Sequence, residues 1–542
     1  MTKRYLITSA LPYINGVKHL GNLVGSMLPA DIYARYLRQR GEQVLFICGT
    51  DDHGAPAEMA AEQQKMSVEQ FCEQMHLKQK QTYDGFHLSF DYFGRTSDVT
   101  HHAVTKEVYG GLKRNGWIQE RIIEQFYSNK DKRFLADRFI VGQCPHCHDQ
   151  KARGDQCDGC GQLLEPTDLI DPRSATDAAD QLVLKQTKHL FLNLKGLEAK
   201  INGWVNQLKK SKLVDGICRK WLAEGLQPRC ITRDLKWGVP VPDQQDKVFY
   251  VWFDAPNAYV SFTKSWAKAQ GRPDAWRDWW YGDDVEYTQY MAKDNVPFHA
   301  FFWPAMLEGS GVSWRKVDHI KAYHWLFFED GKFSTSQQRG IFMDQALERY
   351  PADYWRYYLM ANAPESADSN FTWDHFATTI NAGLANKLGN FVSRVLALVN
   401  RHFDGKVPEH SSNGMDQRLL EQLQSYTDQL DQAYRLNLSR DMAKIHADLW
   451  SLGNAYITEK QPWALVKHHK VDAGQCIANC LYVIQLYVVT LKPFLPEISK
   501  KIQALLPEFL DRPVSLACQW YPFKPGQSVA HSVNLIEKIT IH

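Results

Sequence analysis

The first fifty residues constrain the fold more than any other part of this sequence. Residues 4–11 (RYLITSAL) form a short apolar run, a turn rich in Pro, Asn and Gly interrupts it, and a helical pattern follows from about 19 to 40. A second β-rich run, VLFICGT, covers residues 44–50. Two parallel strands need a long crossover connection, which is usually a helix. The order strand, helix, strand therefore predicts a βαβ unit within a parallel sheet that is covered on both faces.

The pattern changes twice further along the chain. Between 116 and 228, short segments surround a group of cysteines, which we interpret as an insertion. Sheet-like sequence returns at KVFYVWFDAP (247–256) and HAFFWPAML (299–307), and from about residue 381 the apolar positions recur at helical spacing. We therefore predict an α/β fold: a Rossmann-type, doubly wound parallel sheet that is split by the insertion and followed by an all-α bundle.

A chain of 542 residues is too long for one hydrophobic core, so several units are expected. The predicted boundaries are 1–115 for the first half of the Rossmann domain, 116–228 for the insertion, 229–325 for the second half, 326–380 for a connecting region and 381–542 for the helical bundle.

Charge and hydropathy exclude several classes of protein. The 63 Lys and Arg nearly balance the 61 Asp and Glu, so the net charge of +2 gives no global attraction to nucleic acid, and any RNA contact must use a local patch. Pro12 breaks the apolar stretch at the N-terminus, and we identify no apolar run near the roughly 18 residues that a membrane span requires. We expect a cytoplasmic protein with no membrane contact.

Four of the eleven cysteines stand in two C-x-x-C pairs, Cys144 with Cys147 and Cys157 with Cys160. This spacing lets a turn-rich segment wrap four thiolates around one tetrahedral zinc ion. Two nearby histidines are alternative ligands, but four sulfurs already close the coordination shell. The pattern predicts one structural Zn²⁺, and the seven scattered cysteines are expected to be buried thiols, not disulfides.

Two further segments carry residues that suit phosphate chemistry. HLGN, at 19–22, stands where the first strand turns into the first helix, and free N–H groups at a helix start favour anions. KFSTS, at 332–336, carries a cation and hydroxyls on a segment that could close over phosphates. Each alone also fits an ordinary turn. Together they stand in the order of the HIGH and KMSKS signatures of class I aminoacyl-tRNA synthetases.

The chain resembles the methionyl-tRNA synthetases across nearly its whole length. The resemblance rests on segments that stand in the order of that family: ALPYINGVKHLGN, FICGTDDHGAP, the CPHC and CDGC knuckle, ITRDLKWG, YVWFDAP, KDNVPFHAFFWPAMLEG, DGKFSTS, NKLGNFVSR and QPW. It implies that the protein activates L-methionine with ATP and Mg²⁺ and transfers it to tRNA(Met). HLGN and the KF of the loop look like the branch that includes the eukaryotic cytosolic enzymes.

The resemblance also implies roles for individual residues. The methionine pocket would be formed by Leu11, Tyr13, Asp51, Trp252, Ala255, Pro256, Tyr259, His299 and Trp303. The ATP-binding residues would be His19, Gly21, Asn22, Asp294 and Lys332, and the catalytic residues His19, Asn22, Arg233, Lys332, Ser334, Thr335 and Ser336. The anticodon would contact Asn386, Asn390, Arg394, Pro462 and Trp463. These residue types suit the expected ligands, since a carboxylate binds an ammonium group and aromatic faces bind a thioether or a base.

The KFSTS segment departs from the usual pattern of the family. Thr335 stands where a second lysine is usual, and Gln337 replaces an arginine, although Arg339 lies two residues on. Asn22 replaces a histidine and Ala292 a glycine. The loss of one preorganised cation beside a transition state could cost about 3 kcal/mol. We expect Arg339 or another loop cation to compensate.

Other interpretations stay open at this point. Because of Thr335 and Gln337, the chain could be a catalytically weakened paralog that binds methionine or RNA as a regulatory protein. A variant that tolerates inhibitors of the methionine site would also fit, although the sequence gives it little support. The insertion is too short for a second, hydrolytic editing site. The chain ends shortly after the bundle, so we expect a monomer.

Overall fold

The structure of the chain is a computed structural model that describes residues 3–540 apart from 156, 158, 161, 163, 336, 337, 412, 520, 521, 532 and 533. Within these residues, the N-terminal part is organised around a sheet of six parallel strands. In spatial order the strands are Lys209–Lys210, His319–Tyr323, Val285–Ala292, Arg4–Ser9, Gln43–Thr50 and Tyr92–Arg95. The predicted parallel sheet is therefore confirmed.

The direction of winding reverses at the centre of this sheet. Gln43–Thr50 pairs with one edge of Arg4–Ser9 and Val285–Ala292 with the other, so that Leu6 lies opposite a residue of each neighbour. Because the strands are parallel, the loops after Arg4–Ser9 and Val285–Ala292 leave the same end of the sheet. They diverge there and open a crevice, which is the place where doubly wound folds bind ligands.

The first helix of the predicted βαβ unit is present but irregular. A short helical turn, Leu20–Asn22, runs into five π-helical residues, Leu23–Met27, before the regular helix Leu28–Gln39 begins. A π-helical turn is wider than an α-helical one and is often found at functional sites. The irregularity lies directly after HLGN, at the crevice end of the helix.

Two segments that were predicted to be sheet-like are helical instead. Residues 247–256 contain only a two-residue strand before the helix Val251–Asp254, and residues 299–307 lie in a continuous helix over 298–310 that starts with a π-helical turn. The prediction was wrong because it relied on aromatic and β-branched residues. Those residues also suit a helix that is buried on every side, as 298–307 are.

Helices cover the sheet and complete the N-terminal part. They are Ala55–Gln64, Val68–Gly85, Val99–Arg114, Val251–Asp254, Ala258–Ala269, Arg277–Trp280, the π-helical Phe298–Phe302 and Trp303–Ser310. Val99–Arg114 shows how the sequence sets such a helix. Asp98 caps it by accepting a hydrogen bond from the Thr100 amide at 2.7 Å, and Val104, Val108 and Leu112 pack into the core.

The inserted segment is built on a long antiparallel pair of strands, with the cysteine knuckle in a small sheet beside it. The strands of the larger sheet are Ile118–Ser128, Arg133–Phe134, Leu182–Leu192 and Arg229–Cys230. The strands of the smaller sheet are Ile140–Gln143, Ala152–Arg153 and Ile170–Ser174, and the helices are Leu194–Gln207 and Lys212–Glu224. Lys209–Lys210, between these two helices, adds an edge strand to the central sheet. The pair Thr232–Arg233 and Val248–Phe249 leads back to the Rossmann part.

A small hairpin follows the last strand of the central sheet. Leu326–Phe328 pairs with Gly331–Lys332 on one side and with Ser369–Phe371 on the other. Glu329 and Asp330 form the turn with φ of 45° and 60°, the left-handed values that a two-residue hairpin turn requires. The hairpin therefore places Lys332 and the residues after it at the mouth of the crevice.

The C-terminal part is helical, as predicted. The helices after the hairpin are Met343–Arg349, Ala352–Ala361, Trp373–Ile380, the π-helical Asn381–Gly389, Asn390–His402, Gln417–Arg435, Ser439–Lys460, Pro462–Leu465, Lys470–Leu491 and Pro496–Gln503. Lys470–Leu491 is long and apolar enough to cross a membrane, which the sequence analysis overlooked. In the structure, 94% of its most apolar stretch is buried, so it serves as the core helix of the bundle.

Candidate active site

A cavity of about 800 Å³ lies at the crevice end of the central sheet. The hairpin and the cysteine knuckle close over it. The predicted site residues that line it are Leu11, Tyr13, His19, Gly21, Asn22, Asp51, Trp252, Ala255, Pro256, Tyr259, Asp294, His299, Lys332, Ser334 and Thr335. Trp303 lies behind this wall and Arg233 lies away from it, and Ser336 is outside the described residues. The fold thus brings together segments that are far apart in the sequence.

Aromatic side chains form one end of the cavity. Trp252 is stacked on Phe298, with 3.7 Å between ring centroids, and Tyr259 donates a hydrogen bond to His299 Nε2 at 3.0 Å. His299 Nδ1 in turn donates to the carbonyl oxygen of Asn295 at 3.0 Å. Burial lowers the pKa of His299 to about 4, so the ring is neutral near pH 7. This end is a polarizable pocket with a fixed hydroxyl and imidazole, which suits a thioether side chain.

The predicted Trp303 supports this pocket from behind. The ring is 1% exposed, and its centroid lies 5.7 Å from that of Tyr259 in an edge-to-face arrangement. Its indole N–H donates to Asn257 Oδ1 at 3.2 Å. Trp303 therefore fixes the position of Tyr259.

Asp51 is a buried carboxyl group beside the aromatic end. The main chain of Asp51 pairs with the loop after the first strand, since its N–H donates to Pro12 O and its carbonyl accepts from Ile14 N, both at 2.9 Å. The side chain is 5% exposed, and among the described residues Oδ1 has no hydrogen-bond partner. Burial and the neighbouring Asp254 and Asp52 raise the pKa of Asp51. A ligand ammonium group at this point would supply the missing partner.

His19 lies at the other end of the cavity, at the start of the first helix. Its main-chain N–H donates to Asn22 Oδ1 at 3.3 Å, and its ring stacks on Phe333, with 4.8 Å between centroids. Burial lowers the pKa of His19 to about 3, so the imidazole is neutral near pH 7. A neutral ring can donate one hydrogen bond to an anion that is bound at the helix start.

The hairpin loop is held closed over this end. Lys332 Nζ donates to the carbonyl oxygen of Gly159 in the knuckle at 2.6 Å and lies 4.0 Å from the ring centroid of Trp325. Ser334 and Arg339 exchange two main-chain hydrogen bonds of 3.0 Å. The guanidinium of Arg339 donates to two carbonyl oxygens of the same loop, both at 3.1 Å.

The structure does not bring Arg233 into the cavity. Its guanidinium is bound to Asp137, with Nε to Oδ1 at 2.7 Å, and donates to the carbonyl oxygen of Thr232 at 3.0 Å. Tyr250 lines the cavity and lies between it and Arg233, with 3.9 Å between the tyrosine ring centroid and the guanidinium carbon. Arg233 therefore ties the inserted segment to the wall of the cavity.

The four knuckle cysteines converge on one point. Their sulfur atoms all lie within 4.8 Å of one another, with 3.9 Å between Cys144 and Cys160 and 3.5 Å between Cys147 and Cys157. Four ligands at about 2.3 Å around a tetrahedral zinc ion are about 3.8 Å apart. The arrangement fits a metal ion of that kind. The other seven cysteines are free thiols and buried, as predicted.

The predicted anticodon residues lie together on the helical bundle. The guanidinium carbon of Arg394 lies 4.4 Å from the ring centroid of Trp463, and Asn390 donates to Asn454 Oδ1 at 3.1 Å. Asn386 and Asn390 are exposed, whereas Pro462 is buried at the start of the short helix Pro462–Leu465. The side chains form one polar surface with an aromatic ring in it, which can bind unstacked bases.

Sequence reasoning missed other residues of the cavity. Lys18, Arg138, Asp155 and Trp325 line it and were not singled out. Lys18 could have been identified from the sequence, because it is a cation directly before His19 of the HLGN segment. The others lie in the insertion and before the hairpin, and only the closure of these segments over the sheet brings them to the site.

The sequence matches known proteins along nearly the whole chain. The family described as tRNA synthetases class I (M) matches residues 5–396, and the anticodon binding domain of methionyl tRNA ligase matches residues 405–542. The methionine–tRNA ligase of Streptomyces avermitilis is 49% identical over 516 residues, which cover 92% of this chain and 90% of that protein. The ligase of Cereibacter sphaeroides is 46% identical over 554 residues, covering 99% and 97%.

A solved structure agrees in fold. The methionyl-tRNA synthetase of Mycobacterium tuberculosis in complex with methionyl-adenylate has a TM-score of 0.78 over 99% of this chain and 100% of that one, at 23% identity. The parallel sheet with its crevice and the helical bundle define a class I aminoacyl-tRNA synthetase, and the protein is an aminoacyl-tRNA ligase. Within that class the chain belongs to the methionyl-tRNA synthetase family.

Proposed function

We propose that this enzyme activates L-methionine with ATP, as its Mg²⁺ complex, and transfers the methionyl group to tRNA(Met). One observation carries the proposal. A single cavity at the switch point of the sheet joins a buried carboxyl group and an aromatic pocket to a phosphate-type helix start under a lysine-bearing loop. The buried carboxyl group and the aromatic pocket suit a zwitterionic amino acid with an apolar side chain. The helix start and the lysine-bearing loop suit a nucleoside triphosphate.

The chemistry follows from this arrangement. Asp51 binds the α-ammonium group, and Trp252, Tyr259 and His299 surround the side chain. The methionine carboxylate attacks the α-phosphorus, the bond to the bridging oxygen breaks, and pyrophosphate leaves with the electron pair. The enzyme contributes positioning and charge stabilisation in this step. His19, Asn22 and Lys332 hold the phosphates, and Asp294 holds the ribose.

The remaining predicted roles complete the proposal. Cys144, Cys147, Cys157 and Cys160 would hold one structural zinc ion, which supplies no chemistry because four sulfurs fill its coordination shell. The surface around Arg394 and Trp463 binds the anticodon. Ser334, Thr335 and Ser336 belong to the loop over the phosphates. We further propose that the protein acts in the cytoplasm as a monomer.

The decisive test is methionine-dependent exchange of labelled pyrophosphate into ATP, followed by aminoacylation of tRNA(Met). We expect both activities with methionine, and exchange with leucine or isoleucine at least about a hundredfold weaker because the pocket is built around a thioether. A protein that binds methionine without exchange would instead be the weakened regulatory paralog. Light scattering at the mass of a dimer would refute the monomer.

A further inference from the structure

Four lysine and arginine side chains line the described part of the cavity, and three of them are bound to a carboxylate or to main-chain carbonyl oxygens. Lys332 is bound to the knuckle, Arg138 forms an ion pair with a carboxylate at 2.8 Å, and Arg339 is bound to carbonyl oxygens of its own loop. Arg339 is thus engaged in holding the loop, which makes it a poor replacement for the lysine that is usual at the position of Thr335. The fourth side chain, Lys18, has a different environment.

Lys18 is a buried cation without a counter-ion. It is 4% exposed, and its Nζ donates to Asn15 Oδ1 at 2.7 Å. No carboxylate in the described part of the chain forms an ion pair with it. Burial lowers the pKa of Lys18 to about 7, although the nearby Asp51 opposes this shift. An ammonium group that is buried without a counter-ion costs several kcal/mol. An anionic ligand would remove that cost, so the environment of Lys18 points to one.

The position of Lys18 indicates which anion it meets. Lys18 lines the same cavity as Asp51, the proposed partner of the methionine ammonium group. Thr335 lines it too, and its methyl carbon is 3.3 Å from where a Cβ on Gly16 would be, in the same turn as Lys18. His19 follows directly in the chain. Lys18 therefore lies in the cavity that joins the amino-acid end to the phosphate end. In the proposed reaction, the methionine carboxylate meets the α-phosphate in this cavity.

From this geometry, and resting on the function proposed above, we propose that the ammonium group of Lys18 binds the α-phosphate of ATP and stabilises the charge that builds up on it. Lys18 would thereby replace the lysine that the family usually has at the position of Thr335. In the reaction a carboxylate oxygen bonds to phosphorus while pyrophosphate departs with the electron pair. No proton has to move, so a fixed positive charge is what the step requires.

The test is steady-state pyrophosphate exchange with the variant Lys18→Met, which removes the charge and keeps the length of the side chain. We expect kcat for exchange to fall on the order of a hundredfold, as for the loss of one preorganised donor, with the KM for methionine changed by less than about threefold. Lys80→Met is the matched control, because Lys80 is an exposed lysine on the helix Val68–Gly85 that pairs with Asp84. It should retain full exchange.

A second variant separates this role from a structural one. Thr335→Lys in the Lys18→Met background restores a cation near the same place, and we expect it to recover at least about tenfold of the lost kcat. Lys18→Arg, which keeps the charge, should stay within about tenfold of the wild type. Thermal unfolding of each variant checks the fold.

Three outcomes would overturn the inference. The first is unchanged exchange in Lys18→Met. The second is a rise in the methionine KM alone, which would place Lys18 on the methionine carboxylate. The third is a loss of exchange that Thr335→Lys does not rescue although the protein is folded. A wild-type enzyme without any exchange would refute the proposed function instead, so the two failures are distinguishable.

Discussion

Two opposite charges lie buried in the cavity with unfilled bonding capacity, the carboxyl group of Asp51 and the ammonium group of Lys18. Each costs stability in the free protein, because burial removes water and the protein supplies no full replacement. The pKa values of both groups shift toward the neutral form for this reason. Such residues lower the stability of the free protein, and a bound ligand restores it. This compromise is expected at a functional site.

The first prediction concerns Asp51→Asn, which keeps the shape of the side chain and removes its charge. We expect the KM for methionine in exchange to rise about thirtyfold or more, since a buried hydrogen bond to a charged group contributes about 2 kcal/mol. The KM for ATP should change little. The melting temperature should stay the same or rise, because three acidic side chains crowd this region. An unchanged methionine KM would contradict the assignment.

At the level of elements, the closed state of the site depends on a contact between two segments that are far apart in sequence. The hairpin 326–332 brings Lys332 to the carbonyl oxygen of Gly159, which lies in the turn between the last two knuckle cysteines. Gly159 packs directly on the sulfur of Cys147, so that an added Cβ would lie 3.2 Å from it. The hydrogen bond from Lys332 to Gly159 therefore links metal binding by the knuckle to the position of the hairpin.

The second prediction is that Cys147→Ser weakens zinc binding and, with it, catalysis. We expect exchange to fall about tenfold, because the loss of one charge-assisted hydrogen bond costs about 1.5 kcal/mol. Zinc content, measured by atomic absorption, should fall in parallel. Cys218→Ala, a buried thiol in the helix Lys212–Glu224, is the control and should retain zinc and exchange. Full activity in a protein shown to be free of zinc would contradict the link.

At the scale of the whole molecule, one buried arginine joins the Rossmann part to the helical bundle. Arg356 is fully buried, pairs with Asp31 at 2.9 Å and donates to the carbonyl oxygens of Phe86, Phe494 and Pro493 at 3.1, 2.9 and 3.2 Å. Asp31 and Phe86 lie on or next to helices of the central sheet, whereas Phe494 follows the core helix of the bundle. The two parts are thus fixed to each other by a polar network without access to water.

The third prediction is that Arg356→Met lowers the free energy of unfolding by about 3 to 5 kcal/mol. The substitution removes the fully buried cationic partner of Asp31 and the donor that three buried carbonyl oxygens share. Urea unfolding followed by tryptophan fluorescence measures this change. Arg35→Met is the control. Arg35 pairs with the same Asp31 but its side chain is 25% exposed, so its removal should cost about 1 kcal/mol or less. Equal losses of unfolding free energy in the two variants would show that burial of the arginine does not determine how much stability its removal costs.

The fourth prediction concerns the bundle surface, which lies on a different part of the molecule from the cavity. Arg394→Ala removes the cation that lies on Trp463 and the hydrogen bond to Thr458. We expect kcat/KM for aminoacylation to fall by about fivefold to about 150-fold, corresponding to about 1 to 3 kcal/mol per base contact, with pyrophosphate exchange unchanged. Arg401→Ala, an exposed residue later in the same helix, should alter neither activity. A parallel loss of exchange would contradict a role confined to tRNA.

Short-range patterns in the sequence already determined much of this protein. The βαβ unit over 4–50, the four-cysteine knuckle and the helical C-terminal part each depend on spacing between nearby residues, and the structure has all three. The same local reasoning failed at 247–256 and 299–307. There, aromatic residues form helices because the surroundings bury them on all sides, and burial on every side is not a property of the segment itself.

The tertiary structure alone decided which of the predicted residues meet. It brings Asp51 and Tyr259 into one cavity, places Arg233 against Asp137 outside it, and leaves Lys18 buried with no counter-ion among the residues that the structure describes. A motif identifies the type of residue at a position, whereas burial and the pairing of charge depend on side chains from distant segments. The protonation state of an ionisable group depends on both of these and on its hydrogen bonds. For that reason the sequence identified the family, and only the folded chain showed how each charge in its site is balanced.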